Sequence, residues 1–541
     1  MLNDKLIFVR NTANLIAFSS ALLFCQPAVA DDEQPVDYES KVPTYTFSRT
    51  LRGQQAELET NPLSLQFRES RQQLSSDPHR PIYHFVNPEG RMGDANGLCH
   101  WQDRWHLFYQ TRPTGEDRVH WGHAVSDDLI HWRDLPYAIY PQPEYHSYSG
   151  STWVEKDRVI AMYHGTRVGN MVAVSNDPLL LNWNKLTGRP VIPIKSVDGS
   201  QLPYRVFDPC IWKRDGVYYA LSGWTRSREP DGQPVRADFL FRSNDLVNWE
   251  YMHPFVEGDR FTMIGDDGAC PYFWPIGNRY ILLFFSHISG GQYLLGDYDT
   301  DRHKFVATSH GKFNMGATEP GGVHAPSATP DGTGGVIAMF DMNQAIPTEG
   351  WNENMTLPRR LTLRSRDELR IEPAGNIESL RGKHVRINTM RLPANQEVVL
   401  ERIAGNAMEV IASIDLHNCS VFELNVLRSP QKEEFTRIVF YRNRGYRGRS
   451  LVSIDSSRSS LLPDVSLRAP ETGSISLKSG ELLQLHIFID KSVVEVFAGD
   501  QLCLAVRVYP GCKDSVGVSL RSQGNGASLR SLDAWQMKSI Y

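Results

Sequence analysis

From Tyr83 onward the chain reads as short apolar runs cut by polar turns: WHLFYQ from Trp105, HWGHAVS from His120, VIAMYHG from Val159, MVAVS from Met171, VYYALSG from Val217, YILLFFSH from Tyr280 and GGVIAMFD from Gly334. Runs of about five to eight residues, rich in aromatic and β-branched side chains and bounded by turn residues, are strands rather than helices. Within this stretch a unit recurs. A Trp-bearing strand, a charged or polar turn and a Tyr/Phe-rich strand follow one another in WQDRWHLFYQ, WKRDGVYYALSG and WPIGNRYILLFFSH. Repeated hairpins of this kind build the radial blades of a β-propeller, whose innermost strands line a central funnel. A plain β-sandwich accounts for the hairpins but not for the repeat. The pattern predicts a propeller over residues 79–375 and a short helix or linker over 376–390. Over 391–541 it predicts a β-sandwich, clearest where LLQLHIFIDKSVVEVFAGDQLCLAVRVYP alternates with period two.

The N-terminus has a different pattern. Lys5 and Arg10 precede an apolar run from Leu15 to Cys25, and Ala28-Val29-Ala30 is followed by Asp31 and Asp32. This is the layout of a secretory signal over residues 1–30, cut after Ala30, and the run is shorter than the roughly 20 residues of a membrane span. An exported protein, free of the membrane once the signal is removed, is expected. Residues 31–78 are polar and read as a leader lying over the surface. Removal of Cys25 leaves Cys99, Cys210, Cys270, Cys419, Cys503 and Cys512. Their wide spacing excludes a CxxC zinc motif, and Cys503 with Cys512 is open to pairing or to two free thiols.

Composition narrows the function. In 541 residues, 41% are hydrophobic and the formal net charge is −5, which suits two folded domains and supplies no basic field for nucleic acid. His120, His123 and His131 are scattered over strands and turns, so neither a metal nor another cofactor is expected.

The acidic residues are patterned. Asp94 in MGDANG, Asp208 in VFDP, and Asp266 with Asp267 in GDDGACP each stand where a repeat strand begins. An Asp beside Gly or Pro often only closes a turn. Three in register are different, because a propeller delivers equivalent positions from successive blades to one axial cavity. Converging carboxylates are what glycosidic cleavage needs: one to attack the anomeric carbon, one to protonate the leaving oxygen and one to hold a hydroxyl.

At this point the chain resembles glycoside hydrolase family 32, the invertases, levanases and inulinases. HFVNPEGRMGDANGL resembles the family's nucleophile motif, with Asp94 at the nucleophile position and Asn96-Gly97 retained; WGHAVSDDLIHW, from Trp121, is close to a family consensus. YSGST at Tyr148 resembles its Ser-Gly motif, and VFDP its Arg-Asp-Pro motif, with Asp208 as transition-state stabiliser. WNENMTLPRRLTL and IFIDKSVVEVFAGD continue the likeness to the C-terminus, where Asp490 and Glu495 are expected in packing and domain contact. The resemblance implies a five-bladed propeller with a C-terminal sandwich, and retaining hydrolysis of β-fructosidic bonds in fructans, fructo-oligosaccharides or sucrose without a cofactor. It also implies sugar contacts from Gln110, Ser149 and Tyr148. Asn96, Trp101 and Asp266 complete the expected binding set.

Two departures stand out. Phe207 replaces the family's Arg, with Arg205 the nearest arginine, and Ala269 stands where the acid/base Glu is expected. Asp267 is the expected substitute donor, with Asp266, Glu319 and His324 as alternatives. A hydrolase of another furanoside, such as an arabinofuranoside, and a catalytically weak carbohydrate-binding protein are the competing functions.

Overall fold

The aromatic-rich runs become strands buried on both faces: His120–Ser126, Val159–Gly165 and Val336–Met342 are buried at every position. The computed structural model describes residues 40–541 apart from 197, 229 and 230, so the expected signal segment lies outside the described residues. Five sheets follow one another in chain order between Arg91 and Pro373. Their innermost strands are Arg91–Trp101, Ser147–Val154, Asp208–Arg214, Ala269–Ile276 and Val323–Pro330. Each touches the next and the last touches the first, which closes the ring of a propeller.

Four of these five strands break register near the start, between Met92 and Ala95, Ser147 and Gly150, Ala269 and Tyr272, and Val323 and Pro326. The third, Asp208–Arg214, pairs without a shift. A bulge re-aims the side chains it carries. All four fall at one end of the ring, where Asp94, Ser149, Cys270 and His324 stand. Opposite Asp208 is Gly223, where any Cβ would lie 2.0 Å from the Gly268 carbonyl. Glycine there lets the Asp267 loop close onto the third sheet.

The polar leader contains two helices, α1 (Leu51–Thr60) and α2 (Pro62–Leu74). Thr50 caps the first by accepting from Gly53 N, and Asn61 caps the second with Pro62 following it. Both are bound to the propeller by a few specific contacts. Gln54 Nε2 donates to Asp177, the Phe67 ring lies 5.4 Å from that of Tyr137, and Arg71 pairs with Asp134.

Residues 376–390 are not a bare linker. A 3-10 turn, Ile377–Leu380, leads into strand Arg381–Ile387, which pairs with the last strand, Ala527–Met537, inside the second domain. That domain is a sandwich of a seven-stranded and a six-stranded sheet over a common apolar core. Cys99, Cys210, Cys270, Cys419, Cys503 and Cys512 are all free thiols, so Cys503 and Cys512 are unpaired.

The sandwich is locked to the propeller by buried charge. Asp490 accepts from the backbone N–H groups of Ile82, Tyr83 and His84, each at 2.8 Å, and from His84 Nδ1 at 3.0 Å. Glu495 accepts from His84 Nε2 at 3.1 Å, Leu357 N at 2.7 Å and Arg359 Nη2 at 2.9 Å. The side chains of His84, Arg359, Asp490 and Glu495 are fully buried. Burial alone would raise the Glu495 carboxyl, but Arg359 and His84 hold it down at about 2. Glu495→Ala leaves the buried Arg359 without its anion and His84 with Asp490 alone, and is expected to cost about 3–5 kcal/mol, read as a lower guanidinium midpoint. A loss under about 1 kcal/mol would contradict this.

Candidate active site

The bulge at Gly93–Asp94 turns the Asp94 carboxylate toward the ring's axis, where it meets donors from two strands. Gln110 Nε2 donates to Asp94 Oδ2 at 2.8 Å and to Ser149 Oγ at 2.7 Å, and Ser149 Oγ donates to the same carboxylate oxygen. About a fifth of the Asp94 side chain (19%) remains open to solvent.

Asp208 lies deeper. Its Oδ2 accepts from Cys270 N at 3.0 Å, and Cys270 Sγ stands 3.4 Å from that oxygen and 3.6 Å from Asp94 Oδ2. Two carboxylates from the first and third sheets therefore share one thiol from the fourth. Cys270 has a left-handed backbone (φ 49°), so the bulge stores strain to hold this position.

Electrostatics follow from that crowding. Burial raises the Asp208 carboxyl to about 7, with the Asp94 charge adding to it and the Cys270 N–H opposing. Burial would raise Asp94 as well, but the hydrogen bonding and charge of His324 outweigh it and hold the carboxyl below its usual range. His324 Nδ1 stands 3.3 Å from Asp94 Oδ1 and 3.4 Å from Asp341 Oδ2. Burial opposes its proton, yet Asp341 and Asp94 raise the imidazole well above 6.5. The ligand-type atoms of Asp94, His324 and Asp341 lie within 4.8 Å of one another, a spacing that suits one positive charge, metal or imidazolium. A protonated His324 ring meets that need. Glu353 is held well above the usual carboxylate range by burial and then by Asp341.

Several expected site residues are thus brought together: Asp94, Asp208, Gln110 and Ser149. Tyr148 is next to them, its ring stacked on His146 with centroids 5.1 Å apart. Asp267 is adjacent too, but its carboxylate is held by His287, whose Nδ1 stands 2.7 Å from Asp267 Oδ2. Three expectations are revised. Trp101 ends the innermost strand seven residues beyond Asp94, about 20 Å along it, and donates its indole N–H to the Asp177 carbonyl in an inter-blade core. Asn96 is fully buried behind the site, its amide placed to bond Ala95 O, Gln110 N and the Trp121 indole. Asp266 is a loop clamp, accepting from Ser286 Oγ at 2.7 Å, Ser289 Oγ at 2.5 Å and Met263 N at 2.6 Å.

Arg205 is exposed. Phe207, in the place of the expected arginine, packs against Trp224 and His164 with ring centroids 4.1 Å and 4.9 Å away. It also lies against Ala269, Cys270 and Ala325, so one wall of the site is aromatic where a cation was expected. Sequence reasoning missed Asp341, Glu353 and His287. Their signal is weak: Asp341 and His287 end apolar or aromatic runs, and Glu353 lies between two asparagines.

Residues 84–373 match the model of the Glycosyl hydrolases family 32 N-terminal domain, and residues 376–536 match that of the family 32 C-terminal domain. The chain is 25% identical over 506 residues to a levanase of Bacillus subtilis (strain 168), covering 86% of this chain and 71% of that protein. It is 27% identical over 494 residues to a sucrose-6-phosphate hydrolase of Escherichia coli, covering 84% and 94%. Among solved structures, fructan 1-exohydrolase IIa from Cichorium intybus superposes with a TM-score of 0.75 at 24% identity, covering 86% of this chain and 98% of that one.

A carboxyl raised from 3.8 to about 7 keeps its proton in the folded chain and loses it in the unfolded chain across that interval. The folded state binds more protons there, so its stability falls as pH climbs. Asp208→Asn mimics the protonated form and is expected to gain on wild type by up to about 4 kcal/mol between pH 4 and pH 7, read from urea midpoints at each pH. Parallel curves for the two proteins would contradict the assignment.

Proposed function

The chain belongs to glycosyl hydrolase family 32, and on that premise we propose that it cleaves β-fructosidic bonds in fructans, fructo-oligosaccharides or sucrose with retention at the anomeric carbon. The observation that carries the reading is the meeting of Asp94 and Asp208 at the Cys270 thiol, with Gln110 and Ser149 donating to Asp94. Names of the relatives and neighbours, levanase and fructan exohydrolase among them, agree with it.

In this reading the ionised Asp94 attacks C2 of a fructosyl unit and forms a covalent intermediate, which water then opens. Its low carboxyl range suits a nucleophile that must be charged before substrate arrives. Asp208, in its ionised form, holds ring hydroxyls and strengthens those bonds as positive charge develops at C2. The Phe207 and Trp224 rings offer an apolar face to the sugar. Export follows from the pattern at Lys5, Leu15–Cys25 and Ala30, and an external or periplasmic carbohydrate is the matching partner.

Ala269 favours one second reading, a protein that binds fructans and cleaves them poorly. A panel of sucrose, inulin, levan and an arabinofuranoside separates the two, with released sugar measured for wild type and Asp94→Asn. Fructose release by wild type, with a fall of about 10⁴-fold or more in Asp94→Asn and unchanged circular dichroism, is expected. Binding without release would support the second reading, and full activity in Asp94→Asn would remove the nucleophile.

A further inference from the structure

Position 269, where the resemblance places a carboxylic acid, is a buried alanine, 1% exposed. The sheet nevertheless brings another proton carrier to the same place. Ala269 stands opposite Phe285 on the neighbouring antiparallel strand. Carrying that register two residues further puts Asp267 opposite His287, and side chains two apart on a strand share a face. The pair is closed by contact. Asp267 Oδ2 is 2.7 Å from His287 Nδ1, and Asp267 Oδ1 accepts from His287 N at 3.2 Å.

That clamp fixes the ring. With Nδ1 committed to Asp267, Nε2 carries the exchangeable proton and has no protein partner among the described residues. The His287 side chain is 55% exposed, against 19% for Asp94, so it stands toward solvent from the carboxylate. Its ring centroid is 6.4 Å from that of His324, the residue that touches Asp94, and Phe285 packs against both. The other carboxyls are engaged or displaced: Asp266 is spent on Ser286, Ser289 and Met263 N, Glu319 is exposed, and Glu353 accepts from Asn352 Nδ2 on the Arg91 side of the site.

Resting on the fructosidase reading above, we propose that His287 is the proton donor to the leaving oxygen and Asp267 its positioning residue. As Asp94 bonds to C2, the C2–oxygen bond breaks and the Nε2 proton passes to the departing oxygen, leaving a neutral imidazole. Water then adds to C2 and gives a proton to Nε2 as the C2–Asp94 bond breaks. Free sugar, carboxylate and imidazolium result, so every proton is returned. Burial disfavours the His287 charge, but Asp267 outweighs it and raises the imidazole above 6.5, with Asp94 adding to the rise and His324 opposing it. Asp208, which faces the same pocket, also gains from that charge. That shift favours the proton-carrying form of the donor.

The decisive comparison uses two leaving groups, the natural fructoside that wild type cleaves best and an aryl fructofuranoside whose nitrophenolate departs without a proton. His287→Gln is expected to lose about 10²–10⁴-fold on the natural substrate and less than about 10-fold on the aryl one, with the alkaline limb of its kcat/KM profile flattened. In Asp267→Asn the same limb is expected to move to lower pH, and Asp267→Glu to restore part of the shift. Equal losses on both substrates, an unmoved alkaline limb in Asp267→Asn, or the leaving-group signature in Glu353→Gln instead would overturn the proposal. Wild type releasing fructose from neither substrate would overturn the fructosidase reading itself.

Discussion

Like charges forced into one buried place set the terms for the whole site. Asp94 and Asp208 come from different sheets and meet at the thiol of Cys270, so full ionisation of both requires a counter-charge. His324 stands 3.3 Å from Asp94 and 3.4 Å from Asp341, close enough to serve both. The result is a separation by environment: one carboxyl held below its usual range, the other raised to about 7 by burial and by its neighbour's charge. Two chemically identical carboxyls are shifted in opposite directions because only one stands beside His324.

That arrangement depends on backbone irregularity more than on regular strands. The bulges at Asp94, Ser149, Cys270 and His324 all lie at one end of the ring. A flat ladder would point alternate side chains away from the axis. The bulges turn them inward, and the strain at Cys270 is carried by the surrounding sheets. Those sheets are in turn pinned to the sandwich through Asp490, Glu495, His84 and Arg359.

Much of this was legible in the sequence. Period-two runs and the recurring hairpin gave the strands of propeller and sandwich, and acidic residues at comparable points of successive repeats gave Asp94 and Asp208. Gln110 and Ser149 came from the resemblance alone. What stayed hidden depends on register and on folding in three dimensions. Trp101 stands in the expected binding set, yet its position at the far end of the strand sends it to a core. His287 follows an apolar run with nothing local to mark it, and only cross-strand register shows that it faces Asp267. The two helices of the leader were missed because their polar faces dominate, leaving Leu63, Phe67 and Gln54 as the few buried anchors.

The central claim is that a charged Asp94, held by His324 and assisted from the rim, forms a bond to the sugar. Brief incubation with an activated fructosyl fluoride, followed by acid quench, peptic digestion and mass spectrometry, tests it most directly. A peptide containing Asp94 that has gained the mass of one fructosyl unit is the predicted result. Turnover with the adduct on another carboxylate, or with the anomeric configuration inverted and no adduct at all, would contradict it.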